Sequence, residues 1–227
     1  LSVQIHPDDD YAFVNEGEFG KNEVWYVIDA KPGAFLYCGL REETSKEEIF
    51  QRIENHTITE ILNKVQVKAN DVIFIPSGTI HAIGEGLFIC EIQQSSNSTY
   101  RVWDYGRVDT DGKLRELHVK KALDVVDTSP YQFATYGFSA PEQFENSMHQ
   151  VLCRCKYFES VKYDIQGEEI IRMDDSSFLS IIMISGEARI SCREEEYLMH
   201  AGDSYYITAG RKRLHIEGTC EFIATNI

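Results

Sequence analysis

The sequence predicts a mainly β protein made of two related units, each a barrel or sandwich of short strands, with a few short helices. Short runs rich in β-branched and aromatic residues follow one another closely, and Gly, Pro, Asn or Asp residues bound them. A weak internal repeat relates residues 68–86 to residues 199–218, since each segment has a turn, an Asp, four strand residues and a small turn containing Gly. Many short strands at close spacing are typical of sandwiches and barrels.

The predicted strands fall into two groups separated by a connector. Those before the connector are residues 23–29, 34–40, 64–68, 71–76, 87–94 and 99–105. Those after it are residues 153–165, 178–192, 204–209 and 214–227. The connector is residues 128–150, where Pro, Ser and Gly occur in a segment of mixed polarity. We therefore expect one domain at residues 1–130, and a second at 131–227 that includes the connector.

Two short helices are predicted within the first domain. In the first, at residues 45–55, Ser45 and Glu48 form a capping box, and Ile49 and Ile53 give an apolar stripe with i, i+4 spacing. The second is predicted at residues 118–127, "HVKKALDVVD".

Composition and charge restrict the class of protein. The chain has 227 residues and a net charge of −15, which would repel nucleic acid and anionic lipid. No apolar run approaches the roughly 20 residues that span a bilayer. Six cysteines form no Cys-x-x-Cys pair, which favours free cytoplasmic thiols. Because the chain starts with Leu and "LSVQIH" has the pattern of a strand interior, we expect part of the natural chain to lie upstream.

Four polar residues form a candidate metal site in the first domain. Gln4 and His6 lie two residues apart on a predicted strand and so share a face. Glu23 begins the next predicted strand, and His81 follows a Pro-x-Gly turn. Nitrogen and oxygen ligands of this kind, with room for water, are typical of a catalytic divalent metal rather than a structural zinc. In the internal repeat Arg213 stands opposite His81, so the second unit is expected to be metal-free.

Longer motifs resemble a known family. The pattern N-x5-P-x-G-x2-H at residues 70–81 is similar to the second signature of the cupin barrel, with Asn70 in place of the usual leading Gly. The segments "LSVQIHPD", "GKNEVWYVI", "VKANDVIFIPSGTIHAIGEGLFICEIQQSSNSTYRVWDYGR" and "GKLRELHVKKALDVV" together resemble the type I phosphomannose isomerases, particularly the short bacterial form. The resemblance covers residues 1–127, and the remaining chain fits that family's second, metal-free cupin.

The resemblance implies a function and a set of site residues. The family interconverts mannose 6-phosphate and fructose 6-phosphate with one zinc ion, through a cis-enediolate. The implied zinc ligands are His6, Glu23, His81 and Gln4. The implied catalytic residues are Arg101, Glu91 as a proton carrier, and Lys21 in the pocket. The implied phosphate contacts are Ser2 and Arg107, the latter a position where longer relatives carry Lys. A small sugar phosphate is then the expected partner, in a monomer or homodimer of cytoplasmic mannose metabolism.

Two other functions are compatible with the same residues. Two histidines and a glutamate on a cupin also describe the ligand set of non-haem iron oxygenases. A non-catalytic sugar-phosphate-binding protein would keep the pocket without turnover. Gln4 as a fourth ligand and the segment "QQSSNSTYR" at residues 93–101 favour the isomerase over the oxygenase. Retention of both Glu91 and Arg101 disfavours the non-catalytic protein.

Overall fold

A computed structural model describes residues 1–133, 138–173, 175–211 and 213–227. The chain divides into two compact units, Leu1–Ala134 and Thr135–Ile227. None of the helices in the described part of the chain is long and apolar enough to cross a membrane.

The first unit consists of two antiparallel sheets. Its strands are β1 (Val3–Ile5), β2 (Glu23–Ala30), β3 (Phe35–Leu40), β4 (Leu62–Gln66), β5 (Val72–Ile75), β6 (His81–Ile83), β7 (Leu87–Gln93) and β8 (Tyr100–Trp103). One sheet has the strand order β4-β3-β6-β1-β8, and the other has the order β5-β2-β7. Buried side chains of both sheets, among them Trp25, Val27, Leu36 and Ile75, form one core cluster. The two sheets are therefore packed face to face.

Three α-helices are described in the first unit: α1 (Asp9–Glu16), α2 (Lys46–Glu54) and α3 (Val119–Val125). The two predicted helices correspond to α2 and α3. Ser45 Oγ accepts from the Glu48 N–H at 3.1 Å, as its place in a capping box predicts. Ile49 and Ile53 of α2 pack in a second core cluster with Ile5 of β1, on the face of the larger sheet that points away from β2.

Helix α1 was not predicted, because it buries only Ala12 and so shows no apolar stripe. Local signals define it instead. Asp8 at the N-cap accepts from the Tyr11 N–H at 2.9 Å. Gly17, with φ of 69°, ends the helix in the left-handed conformation. The helix therefore depends on its caps and on contacts outside it rather than on its own periodicity.

The second unit is one antiparallel sheet of long strands. Its strands are β9 (Glu142–Gln143), β10 (Ser147–Arg154), β11 (Glu159–Arg172), β12 (Leu179–Cys192), β13 (Glu195–His200), β14 (Ser204–Ile207) and β15 (Arg213–Asn226). Their order is β13-β12-β15-β11-β10-β9, and β14 pairs with β12. The core of this unit is apolar and includes Ile165, Ile181, Ile216 and Phe222, each with no exposed surface.

Two predictions for the second half of the chain were wrong in detail, and one strand was missed. The single strand predicted at 153–165 is a hairpin, in which the Cys155 N–H donates to the Phe158 carbonyl at 3.1 Å. The four residues between the two arms, 155–158, include no Gly or Pro that would signal the turn. The connector 128–150 contains β9 and the start of β10, while its residues 134–137 lie outside the described residues. Strand β13 was missed because its first residues are charged.

The two residues that the repeat aligns each begin a strand. His81 is the first residue of β6, and Arg213 is the first residue of β15. Lys212, which falls within the repeat, lies outside the described residues. The assignment of a metal-binding role to residues 1–130 and a metal-free role to 131–227 stays a prediction.

Asn70 holds the turn that precedes β5. Its φ of 73° lies in the left-handed region, where Asn is one of the few residues other than Gly that is tolerated. Its N–H donates to the Val27 carbonyl at 2.8 Å, and its side-chain oxygen accepts from the Tyr26 hydroxyl. The backbone conformation explains why Asn can stand where the cupin signature usually has Gly.

We expect Asn70→Val to destabilise the first unit more than Asn70→Gly does. Both variants lose the hydrogen bond from Tyr26, but only valine also pays the left-handed penalty, which is about 1–2 kcal/mol for an ordinary L-residue. Thermal melts of the two variants beside the unsubstituted protein measure this difference. Equal melting temperatures for the two variants would show that the conformation is not a constraint.

Candidate metal centre and active site

The strand register of the larger sheet places predicted site residues in one row. Gln4 of β1 pairs with His81 of β6 on one side and with Arg101 of β8 on the other. Residues directly opposite each other in an antiparallel pair point to the same face. His6, two residues after Gln4, points to that face as well. The larger sheet therefore supplies two imidazoles, an amide and a guanidinium to one surface.

The smaller sheet supplies the acidic groups from the opposite side. Glu23 is the first residue of β2, and Trp25 two residues later is paired with Glu91 of β7. Glu23, Trp25 and Glu91 consequently point the same way. Lys21 lies just before β2, where its N–H donates to the Pro7 carbonyl at 3.0 Å.

The closest convergence is among His6, Glu23 and His81. One potential ligand atom from each lies within 4.8 Å of the others. His6 Nε2 is 3.0 Å from Glu23 Oε1, and His81 Nε2 is 3.8 Å from Glu23 Oε2. All three side chains are about 1% exposed. The structure thus brings together three of the four predicted ligands in a site shielded from bulk water.

Backbone carbonyls determine which ring nitrogen faces the site. His6 Nδ1 lies 2.8 Å from the Ser98 carbonyl, and His81 Nδ1 lies 2.9 Å from the Thr79 carbonyl. A carbonyl only accepts hydrogen bonds, so both Nδ1 atoms carry protons. In the neutral rings each Nε2 then has a lone pair directed at Glu23. This is the arrangement by which proteins orient histidine ligands.

The site fits a divalent cation on two observations. First, His6 Nε2 and Glu23 Oε1 are buried and, within the described residues, have no hydrogen bond of acceptable geometry. Second, the imidazole lone pairs converge on a carboxylate, an arrangement that is repulsive until a proton or a cation lies between them. Two imidazole nitrogens and a carboxylate oxygen are a typical donor set for zinc in a catalytic site.

Gln4 adjoins this group with its amide nitrogen. Gln4 Nε2 is 3.4 Å from His81 Nε2, and its oxygen accepts from the Ser2 hydroxyl at 3.2 Å. Ligation by Gln4 requires the amide to turn over, so that the oxygen faces the imidazoles. The Ser2 hydroxyl can accept as well as donate, so it satisfies either orientation of the amide. Ser2 is therefore a hydrogen-bond partner of the Gln4 amide.

Burial and charge separate the pKa values of the two glutamates. Burial alone would raise the pKa of Glu23, but contact with His6 and the positive charge of Lys21 outweigh burial and hold the pKa well below its ordinary value. Burial and the negative charge of Glu23 raise the pKa of Glu91, although Lys21 opposes the rise. Burial lowers the pKa of His81 to about 4, which keeps that ring neutral and able to ligate.

Lys21 connects the two carboxylates. Its Nζ lies 2.7 Å from Glu23 Oε1 and 3.6 Å from Glu91 Oε1. The Lys21 side chain is 9% exposed, whereas that of Glu91 is 31% exposed. The exposed fraction of the side chains thus rises from the ligand triad through Lys21 to Glu91.

Arg101 is held by the backbone of a neighbouring segment. Its Nη1 donates to the Glu116 carbonyl at 2.8 Å, and its buried Nε has no hydrogen-bond partner among the described residues. The described residues show no ion pair of Arg101 with Asp104 or Glu91. Within the described part of the chain, no carboxylate therefore neutralises its charge.

Arg107 is the predicted site residue that the structure does not bring to the ligand triad. Its guanidinium binds the buried Asp104 carboxylate, which Arg115 also contacts through Nε at 2.6 Å. The hydrogen bonds from Arg115 and Arg107 hold the pKa of Asp104 below its ordinary value. In this conformation Arg107 braces the chain after β8.

Trp25 is the main residue of the site that sequence reasoning missed. Its indole N–H donates to Glu23 Oε2 at 3.0 Å. The signal was present, because Trp25 is two residues after Glu23 and on the same strand face. A buried aromatic residue in a strand, however, usually belongs to a core, and the sequence alone does not distinguish the two roles.

Comparisons with known proteins identify the family. The chain is 39% identical over 230 residues to the mannose-6-phosphate isomerase of Bacillus subtilis (strain 168), covering all of this chain and 71% of the relative. A mannose-6-phosphate isomerase of Streptococcus mutans is 38% identical, with all of this chain and 70% of the relative covered. The chain belongs to the mannose-6-phosphate isomerase family. The predicted resemblance is thereby confirmed.

Solved structures and a family model confirm the fold of this mannose-6-phosphate isomerase family member. The crystal structure of a mannose 6-phosphate isomerase from Bacillus subtilis superposes with a TM-score of 0.92 at 35% identity, covering all of this chain and 71% of the other. A mutant phosphomannose isomerase from Salmonella typhimurium, 14% identical, shares the fold with a TM-score of 0.74 over 99% of this chain and 75% of its own. The model of the mannose-6-phosphate isomerase cupin domain matches residues 148–227. The predicted mainly β cupin class is confirmed.

We expect Asp104→Asn to lower the melting temperature at neutral pH, because it leaves two guanidinium groups without a carboxylate. Since Arg107 and Arg115 are 46% and 36% exposed, solvent screening limits the loss to about 1 kcal/mol. The folded-state pKa of Asp104 is lowered, so its contribution is complete above the unfolded value of about 3.9 and is lost as the pH falls through the folded value.

The difference in melting temperature between the unsubstituted protein and Asp104→Asn therefore becomes smaller below about pH 4. Thermal melts across pH measure it, and the exposed Asp111→Asn serves as a control that shows no such difference. A difference that stays constant down to strongly acidic pH would contradict the lowered pKa.

Proposed function

We propose that this protein is a zinc-dependent mannose-6-phosphate isomerase, an aldose–ketose isomerase that interconverts mannose 6-phosphate and fructose 6-phosphate through a cis-enediolate. The observation that carries the proposal is the 39% identity, over all of the chain, to an enzyme named for this reaction. The buried group of His6, Glu23 and His81 supports it independently, because it is a donor set for one divalent ion. A sugar phosphate is then its substrate, in cytoplasmic mannose metabolism, and the protein acts as a monomer or homodimer.

His6, Glu23 and His81 would hold the zinc ion, and Gln4 would complete the set with its oxygen turned inward. When bound, zinc supplies positive charge that polarises the carbonyl and hydroxyl oxygens of the sugar. The two Nδ1–carbonyl contacts keep the imidazoles in the ligating tautomer. Lys21, 2.7 Å from Glu23 Oε1, holds that carboxylate in its ionised form.

We assign the proton transfer to Glu91. The isomerisation removes a proton from carbon 2 and returns it to carbon 1, and one base on one face of the sugar can perform both steps. Glu91 is more exposed than the ligands, and its pKa is raised toward the range useful for a general base. Lys21 Nζ lies 3.6 Å from Glu91 Oε1 and can stabilise the ionised base before it takes the proton.

Arg101 would stabilise the negative charge that develops on the enediolate. It shares a sheet face with Gln4 and His81, and no carboxylate among the described residues neutralises it. The contact with the Glu116 carbonyl keeps the guanidinium on the side of β1 away from His81. Its charge therefore acts on the substrate without displacing the cation.

Ser2 and Arg107 are proposed to contribute to phosphate binding. Ser2 is buried behind Gln4, and its hydroxyl is available to a phosphate only if the amide rearranges. Arg107 is 46% exposed, and Arg115 shares its carboxylate. Arg107 can therefore turn from Asp104 to a phosphate while Arg115 keeps that carboxylate paired.

A coupled assay with mannose 6-phosphate, with and without a chelator, tests the function. We expect turnover that is lost on chelation and restored by one equivalent of zinc. His81→Ala should bind zinc far more weakly, since the remaining ligands do not complete the shell. The matched control is His200→Ala, an exposed histidine of the second unit that should leave metal content unchanged.

Three outcomes would contradict parts of this proposal. Tight mannose 6-phosphate binding without turnover indicates a sugar-phosphate-binding protein. Oxygen consumption with bound iron indicates an oxygenase. Unaltered zinc stoichiometry and affinity in His81→Ala would contradict the proposed set of zinc ligands.

We expect Arg101→Ala to lower kcat for mannose 6-phosphate roughly 100- to 1000-fold while leaving zinc content unchanged, because one electrostatic group typically contributes this much. Arg52→Ala, which removes a surface arginine paired with Glu48 and Glu60, is the control and should keep normal kcat. Steady-state kinetics beside a thermal melt make the measurement. A normal kcat with a lowered melting temperature would show that Arg101 only braces the strand.

A further inference from the structure

Trp25 connects the smaller sheet to two of the proposed metal ligands at once. It is 1% exposed and lies on β2 two residues after Glu23. Its indole N–H donates to Glu23 Oε2 at 3.0 Å, and its ring meets the His81 imidazole edge-on, with centroids 5.4 Å apart and planes at 78°. No other part of the proposed mechanism uses this side chain.

The hydrogen bond fixes the orientation of the Glu23 carboxylate. An indole N–H is a donor only, so it selects one carboxylate oxygen and keeps it. Because Oε2 is taken by Trp25, Oε1 is directed at His6 Nε2, 3.0 Å away, and at Lys21 Nζ, 2.7 Å away. Contact with the same indole ring restricts rotation of His81, whose Nδ1 is also held by the Thr79 carbonyl.

We propose that Trp25 is a positioning residue for the metal site, which raises metal affinity by fixing the Glu23 carboxylate and the His81 ring, and whose emission reports metal occupancy. This inference rests on the metal-binding part of the proposed function. Outer hydrogen-bond partners of ligands typically contribute 10- to 100-fold to metal affinity. The contribution of Trp25 should lie in this range, since its acceptor oxygen is buried and has little water to replace the lost bond.

The alternative is that Trp25 only fills the core. It belongs to the cluster with Val27, Leu36 and Ile75, so its loss would open a cavity whatever its role at the site. Trp25→Phe separates the two roles, because phenylalanine keeps an aromatic ring in the core and against His81 but removes the N–H. A core role predicts a lower melting temperature alone, whereas a positioning role predicts weaker metal binding.

The protein offers a matched control, because it has only two tryptophans. Trp103 stacks on His56 with ring centroids 4.3 Å apart and has no contact with the ligand triad among the described residues. Trp103→Phe leaves Trp25 as the sole indole emitter, and Trp25→Phe leaves Trp103. Each variant is therefore both a mutation and a spectroscopic label.

The experiment titrates zinc into chelator-treated protein, with affinity measured by competition against a chromogenic chelator and with tryptophan emission followed in parallel. We expect Trp103→Phe to bind zinc as the unsubstituted protein does, with a change in emission that saturates at one equivalent. We expect Trp25→Phe to bind zinc 10- to 100-fold more weakly and to show no saturating change in emission. Thermal melts of the metal-free proteins report any loss of stability separately.

Equal zinc affinity of Trp25→Phe and the unsubstituted protein would overturn the inference while leaving the proposed function in place. Should Trp25→Phe fail to fold, an emission of Trp103→Phe that does not respond to zinc would overturn it as well. If the unsubstituted protein binds no zinc, both the metal-dependent part of the proposed function and the inference about Trp25 are wrong. These outcomes are distinguishable because the unsubstituted protein is measured first.

Discussion

The buried carboxylate of Glu23 is the constraint around which the first unit is organised. An ionised carboxylate at 1% exposure is strongly unfavourable unless charges and hydrogen-bond donors surround it. The structure supplies the Lys21 ammonium at 2.7 Å and the Trp25 N–H at 3.0 Å. The two imidazoles present lone pairs rather than protons, so they add to the negative potential. A divalent cation between them and the carboxylate would neutralise that potential, and this is the physical argument for the proposed zinc ion.

Each sheet holds one half of this arrangement, and hydrogen bonds donated by the turn before His81 join the halves. The Gly78 N–H donates to the His6 carbonyl at 2.8 Å, which ties the turn before His81 to the strand that carries His6. Gly78 has φ of 84°, and an added Cβ would lie 3.1 Å from the Val125 carbonyl, so the turn requires glycine there. The side-chain oxygen of Asn22 accepts from the Ser77 N–H at 3.0 Å and ties the same turn to the start of β2. The ligand positions are thus fixed by main-chain geometry before any ion binds.

Sequence patterns predicted those features that depend on periodicity or on local chemistry. Alternation placed Gln4 and His6 on one face, and the capping box placed the start of the helix at Ser45. The patterns missed features that lack an apolar periodicity or a Gly or Pro signal, and they missed side-chain contacts within the site. Helix α1 has no apolar stripe, and the hairpin at residues 155–158 has no glycine or proline in its turn. Trp25 is a core residue whose N–H also contacts Glu23, and a hydrogen bond of this kind is not visible in a hydrophobic pattern.

The interior of the second unit is mainly apolar, and its buried Lys162 is paired with Glu221 at 2.8 Å. Within the described residues, the only group of three or more potential ligand side chains close enough to share an ion is that of His6, Glu23 and His81. At the position equivalent to His81 the second unit has Arg213, which is exposed, and its interior is filled by side chains such as Ile181, Ile216 and Phe222. An apolar interior needs no compensating cation, because it leaves no polar atom unsatisfied. The two units differ in sheet architecture and in the side chains that fill their interiors, so a cupin fold alone does not establish chemistry.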